Sequence, residues 1–157
     1  MSEENTEIAV FAAGCFWGVE QEFRRLKGVL TTEVGYTGGK PNNPTYHNVC
    51  GGETGHAEAI RIAFDPAVIS YERLVAVFFT IHNPTQVGGQ GVDMGEQYRS
   101  AVFFHSPEQE ATATEFKKNL DASNRFAAPI TTQIFAATEW WPAEEHHQQY
   151  FEKQGRV

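Results

Sequence analysis

Apolar positions along this chain change period several times, and each change predicts an element. Ile8, Val10 and Ala12 alternate with Ala9, Phe11 and Ala13, the period-two pattern of a strand. Val19, Phe23 and Leu26 follow at spacings of four and three, one face of an amphipathic helix. A second strand over Thr31–Thr37 ends at Gly38-Gly39, and the polar run Lys40-Pro41-Asn42-Asn43-Pro44 excludes regular structure. Glu58, Ile60, Ile62 and Phe64 alternate with Ala57, Ala59, Arg61 and Ala63, a third strand stopped by Asp65-Pro66. Ser70 is placed to N-cap a helix carrying Leu74, Val77, Phe78 and Ile81. After a glycine-rich loop from Asn83 to Gly95, Tyr98–His105 is a fourth strand. Ser106-Pro107-Glu108-Gln109 has the order of N-cap, N1 proline and N3 glutamine that opens a helix. Ile130–Ala136 supplies a fifth strand and Ala143–Lys153 a last helix, against which Trp140, Trp141, Tyr150 and Phe151 are expected to pack.

The order βαββαβ followed by αβα predicts an α+β fold. Its first six elements match the ferredoxin-like split βαβ pattern, extended into a single mixed sheet with packed helices. At 157 residues the chain is expected to be one domain, 1–157, large enough to bury a core unaided. Residues 38–56 and 83–97 are long for irregular connections, and such loops are more often functional than idle.

Charge and cysteine content narrow the class. A formal net charge of −8 disfavours nucleic-acid and anionic-membrane partners. No apolar run reaches the length of a membrane span, and Met1-Ser2-Glu3-Glu4-Asn5 is unlike a signal or transit peptide. The two cysteines are too few for a disulfide framework and fit a reducing compartment, so a cytoplasmic protein is expected.

Candidate chemistry concentrates at Gly14-Cys15-Phe16-Trp17-Gly18, where the first strand gives way to a helix. A cysteine at a helix N-terminus meets unsatisfied N–H groups and the positive end of the dipole, both of which favour thiolate. Two aromatics beside it could wall an apolar pocket. The same turn could also hold an inert, buried cysteine. Glu58 shares the face of Ile60 and Ile62, so it is expected to be desolvated and to serve as a proton donor near neutral pH, unless it lies in water or pairs with Arg61 or Arg99. Tyr46 and Tyr98 could donate to a developing oxyanion or be ordinary loop and strand-edge aromatics. His47, Cys50 and His56 lack common zinc spacing, and His146-His147 point to different faces of a helix, so no metal site is expected. Nucleotide-binding and serine-hydrolase motifs are missing.

Taken in order, Gly14-Cys15-Phe16-Trp17-Gly18, Gly35-Tyr36-Thr37-Gly38-Gly39, Asn43-Pro44-Thr45-Tyr46, Thr54-Gly55-His56-Ala57-Glu58-Ala59, Gln97-Tyr98-Arg99-Ser100 and Ala143-Glu144-Glu145-His146 with Gln148 form one pattern. Over nearly its whole length the chain resembles the peptide methionine sulfoxide reductase A family. The resemblance implies thiol-dependent reduction of methionine S-sulfoxide, free or in proteins, as repair of oxidative damage. Cys15 is then the nucleophile, Glu58 the acid, and Tyr46 and Tyr98 the donors to the sulfoxide oxygen. Phe16 and Trp17 form the methyl pocket, and Asp93 matches a position near the substrate backbone. The product is a Cys15 sulfenic acid.

Many members carry recycling cysteines near the C-terminus, whereas this chain ends Gln154-Gly155-Arg156-Val157. Cys50 is expected to be structural. An external thiol is then the expected reductant: thioredoxin, glutaredoxin with glutathione, or dithiothreitol. No bound cofactor and a monomeric state are expected. A thiol peroxidase, a cysteine hydrolase, or a non-catalytic binder of oxidised methionine remain alternatives on the residues alone.

Overall fold

Phe11 is the junction of the fold. It lies on strand β1 (Glu7–Ala13), fully buried, with its ring stacked on Phe23 of helix α1 (Phe16–Arg24) at 5.4 Å and on Phe78 of helix α2 (Tyr71–Thr80) at 5.1 Å. One side chain thus ties the sheet to both helices on one face. The computed structural model describes residues 6–14, 16–37, 57–82, 84–86, 89–90, 93–94, 99–123, 125–126, 128–137, 140–144 and 147–149. Among them the remaining elements are β2 (Val29–Thr37), β3 (Ala57–Phe64), β4 (Gly89–Gln90), β5 (Asp93–Met94), β6 (Ser100–Phe104), α3 (Pro107–Ala122), β7 (Gln133–Ala136) and β8 (Trp141–Pro142).

Six of these strands form one mixed sheet in the order β7-β6-β1-β3-β2-β8. Its central part, β6-β1-β3-β2, is antiparallel throughout, with Phe11 opposite Ile60 on one side and Val102 on the other. That is the predicted split βαβ core, since β3 lies between β1 and β2 although it follows both in sequence. β7 adds to one edge parallel to β6 after the α3 crossover, and β8 pairs antiparallel with β2 at the other edge. The α+β expectation holds.

The two faces of the sheet are unequal. The helix side buries Phe11, Ile60, Ile62, Phe64, Leu74, Phe78 and Val102 in one cluster. The opposite side carries small residues, among them Ala12, Ala57, Ala59 and Ala101, covered by Trp140. Arg61 points to this second face, pairing with Glu33 at 3.6 Å with its guanidinium 5.6 Å from the Trp140 ring centre.

Helix caps follow the sequence with one difference. Ser70 accepts from the Arg73 N–H, and Ser106 accepts from the Gln109 N–H. Gln109, however, turns its carbonyl to the His105 N–H at 2.9 Å and its amide to the Ile8 carbonyl at 2.8 Å. The capping residue thereby fastens α3 to β1, a contact between residues distant in sequence.

The C-terminal segment departs most from expectation. Residues 143–153 were predicted to be helical; of those described, none is α-helical, His147–Gln149 is a turn, and the His147 N–H meets the Glu144 carbonyl at 2.9 Å. Gln149 has a φ of +48°, which ends any helical path there. Trp140 and Trp141 pack on the sheet: Trp141 sits in β8 opposite Tyr36, and Trp140 covers the second face with its indole N–H on Glu33. Tyr150 and Phe151 lie outside the described residues. The small β4–β5 hairpin inside the glycine-rich loop was not predicted, because two-residue strands carry no detectable alternation.

Candidate active site

Four strand ends meet at one end of the sheet. In the antiparallel register the C-terminal end of β1 lies beside the start of β6, with Ala13 opposite Ser100. The start of β3 lies beside the end of β2, with Glu58 opposite Tyr36. Gly14, at φ +100°, turns the chain from β1 into α1, a conformation available to glycine at no steric cost. Cys15 follows Gly14 directly and precedes the first helical residue, Phe16. Cys15 itself, Tyr46, Cys50 and Tyr98 lie outside the described residues, as do the side chain of Asp93 and the whole of 38–56.

Helix α1 has no acidic residue in its first turn. Glu58 supplies one from β3: its Oε1 accepts the Phe16 N–H at 3.3 Å. The bond satisfies one of the donors that every helix leaves unpaired at its start. Glu58 is only 1 % exposed and faces the same side as Ile60 and Ile62. Of the alternatives open on the sequence, water is excluded by burial, and Arg61 is engaged by Glu33 on the other face.

Phe16 is fully buried and Trp17 half-buried. Phe16 packs against Tyr36 at 5.8 Å and against His147 at 5.4 Å. Trp17 stacks on His147 at 5.6 Å and donates its indole N–H to His147 Nδ1 at 3.0 Å. Tyr36 in turn donates its hydroxyl to Glu144 at 2.9 Å. The tight turn of the C-terminal segment therefore backs both aromatics. His147, Tyr36 and Glu144 were not singled out as site residues on the sequence. The available signal was their place inside the Gly35–Gly39 and Ala143–Gln148 motifs.

A second buried polar chain stands behind β6. His82 Nδ1 meets the Phe78 carbonyl at 2.6 Å and Nε2 meets Ser100 Oγ at 2.7 Å, which in turn meets Thr132 Oγ1 at 2.7 Å. A carbonyl only accepts, so Nδ1 carries the proton and Nε2 accepts from Ser100. Burial pushes the His82 pKa down to about 4, partly opposed by the bond to Phe78. The imidazole is thus neutral at pH 7 and fixes the start of β6, two residues after Tyr98. Among the described residues no group of three or more His, Cys, Asp or Glu side chains could hold a metal. None of their helices is long and apolar enough to cross a membrane.

The profile of the family described as peptide methionine sulfoxide reductase matches residues 7–156. The chain belongs to that family. A peptide methionine sulfoxide reductase MsrA from Methanosarcina mazei is 51 % identical over 98 % of this chain and 78 % of its own length. Among solved structures, reduced Mxr1 from Saccharomyces cerevisiae superposes with a TM-score of 0.92 at 32 % identity, covering 99 % of this chain and 90 % of that one. Mxr1 in complex with Trx2 matches with a TM-score of 0.66 at 22 % identity, over 95 % of this chain and 87 % of that one. For a peptide methionine sulfoxide reductase, the end of the sheet that joins the Gly14 turn, Glu58 and the Phe16–Trp17 pair is the candidate active site.

Proposed function

We propose that this reductase acts on the S epimer of methionine sulfoxide, free or within oxidised proteins, with Cys15 as nucleophile and Glu58 as proton donor. The observation that carries the proposal is the buried Glu58 carboxyl bonded to the Phe16 N–H, one peptide beyond Cys15 in the chain. Attack of a thiolate on a sulfoxide sulfur is difficult because the departing oxygen is strongly basic. Burial favours the protonated form of this carboxyl against the Phe16 N–H bond, which favours the ionised one, and the protonated form can deliver its proton to that oxygen as the new bond forms. Tyr46 and Tyr98 add phenolic donors to the same oxygen, and Phe16 and Trp17 receive the methyl group, with Asp93 toward the substrate backbone.

In the balanced step the sulfoxide gives its oxygen to the Cys15 sulfur. The S–O bond of the substrate and the transient bond from Cys15 to the substrate sulfur both break, methionine is released, and the oxygen with its proton stays on Cys15 as a sulfenic acid. A first external thiol condenses with the sulfenic acid, releasing water and leaving a mixed disulfide, and a second thiol frees Cys15. Cys50 stays outside this cycle. A thioredoxin-type protein is the proposed reductant, supported by the yeast relative having been solved with Trx2. A glutaredoxin with glutathione, or dithiothreitol, supplies the same chemistry. The chain works as a single-domain cytoplasmic monomer without a bound cofactor, apart from nucleic acid and membranes.

The test is digestion of racemic methionine sulfoxide by the purified protein with dithiothreitol, followed by chiral chromatography. Loss of the S epimer alone is expected. Stoichiometric capture without turnover would identify a binder instead. Preferential consumption of hydrogen peroxide would identify a thiol peroxidase.

A further inference from the structure

Glu20 is 1 % exposed, sits one turn beyond Phe16 on α1, and has no part in the chemistry proposed for Glu58. A buried carboxylate is costly unless its oxygens are filled, and here both are. Oε1 accepts the Gln149 backbone N–H at 2.7 Å. Oε2 accepts the Thr32 hydroxyl at 2.7 Å and the Gln149 side-chain amide at 2.9 Å. Gln149 is held by one carboxylate through both its main chain and its side chain, and it is the one non-glycine residue with positive φ among those described. That backbone state is unfavourable for a residue with a Cβ, so something must hold it.

The clasp leads directly to the pocket. Gln148 threads its amide against β2, accepting from the Val34 N–H at 2.8 Å and donating to the Val34 carbonyl at 2.9 Å. His147, next in the chain, accepts the Trp17 indole N–H and stacks on its ring. We propose that Glu20 is a positioning residue: by clasping Gln149 it seats His147 against Trp17 and sets the indole that walls the methyl pocket. The inference rests on the assignment of Trp17 to that pocket made under Proposed function. Glu20 and Trp17 lie on the same helix, yet their coupling runs through the C-terminal segment.

The experiment uses the full-length protein with Glu20→Gln and, separately, Gln149→Ala. Glu20→Gln keeps volume but puts an amide NH₂ where three donors converge, so one bond is lost. Gln149→Ala removes the side-chain amide from Glu20 Oε2 but leaves the carboxylate and the Gln149 backbone N–H in place, and keeps the test open if the first variant folds poorly. Two readouts are taken: the Trp17 indole ¹H–¹⁵N resonance, assigned with Trp17→Phe, and the Michaelis parameters with methionine sulfoxide and dithiothreitol. Both variants are expected to move the Trp17 resonance and to raise KM by about tenfold, with kcat within about threefold, the signature of lost binding rather than lost chemistry. Glu20→Asp, which retains two acceptor oxygens, is expected to recover part of the KM. An unmoved Trp17 resonance in both variants overturns the clasp, whether or not the protein is a reductase. A moved resonance with unchanged KM overturns the proposal through the pocket assignment on which it rests.

Discussion

Trp17 donates its indole N–H to His147 Nδ1 across 130 residues of sequence, at 3.0 Å. The bond defines a tautomer: Nδ1 must be bare, so the neutral ring carries its proton on Nε2. His147→Phe keeps a ring to stack on Phe16 and Trp17 but removes the acceptor. A half-buried indole N–H without its partner is expected to cost about 1 kcal/mol, the usual net worth of such a bond. Urea unfolding of His147→Phe beside wild type measures it. A loss below about 0.3 kcal/mol would mean that water replaces the imidazole.

Cys15→Ser is expected to abolish sulfoxide reduction under dithiothreitol, because serine at neutral pH offers no comparable nucleophile. Cys50→Ser is expected to keep most of the activity with the same reductant. Activity retained by Cys15→Ser removes it from the mechanism. If Cys50→Ser blocks thioredoxin-driven turnover and spares the dithiothreitol reaction, Cys50 is the resolving thiol.

Glu58→Gln preserves size and an acceptor for the Phe16 N–H but has no proton to give. Single-turnover sulfoxide reduction is expected to slow by about 10²–10⁴-fold, the range for general acid catalysis. Because the cap on α1 survives, the melting temperature is expected to stay near that of wild type. A rate within a few-fold of wild type would falsify the acid assignment.

His82 predicts an acid limb of stability. Its pKa is lowered from the ordinary 6.5 to about 4 in the folded protein, so the unfolded chain takes up the proton first as pH falls. The contribution is fully present above pH 6.5 and is lost progressively as pH falls toward 4, amounting to about 2 kcal/mol between pH 7.5 and 4.5. His82→Gln can still donate to the Phe78 carbonyl and accept from Ser100 without titrating. Its unfolding free energy is expected to fall less over that range, and parallel profiles for variant and wild type would refute the assignment.

Gly35 on β2 lies where β8 crosses it. A methyl group there would come within 2.5 Å of the Trp141 carbonyl oxygen and 2.6 Å of the Trp140 ring. Gly35→Ala is therefore expected to lose about 1–3 kcal/mol through overpacking. The loss should be accompanied by release of Trp140 from Arg61 and Glu33, read as a red shift of tryptophan emission. An alanine variant as stable as wild type would show that β8 yields easily.

Local pattern alone determined β1, β2, β3, β6, β7 and the three described helices, because side-chain burial on one face repeats with the period of each element. The alternation through Phe11 and through Ile60 placed β1 and β3, and Ser70 and Ser106 marked the helix starts where their hydroxyls cap backbone donors. Glu58 was legible as a buried carboxyl for the same reason, since its parity with Ile60 already assigned it to the helix side. The motif order carried the family. Tertiary structure decided what has no period: that Glu58 would find the Phe16 N–H, that 147–149 would turn rather than continue as a helix, and that His147 would close on Trp17. Glu20, which a helical wheel can place only as one more charge among apolar neighbours, was decided by its partners Thr32 and Gln149, and Gln149 is 129 positions away. Buried polar groups are satisfied by whichever donors the completed fold brings within hydrogen-bond reach, and that choice exists only once elements distant in sequence have packed together.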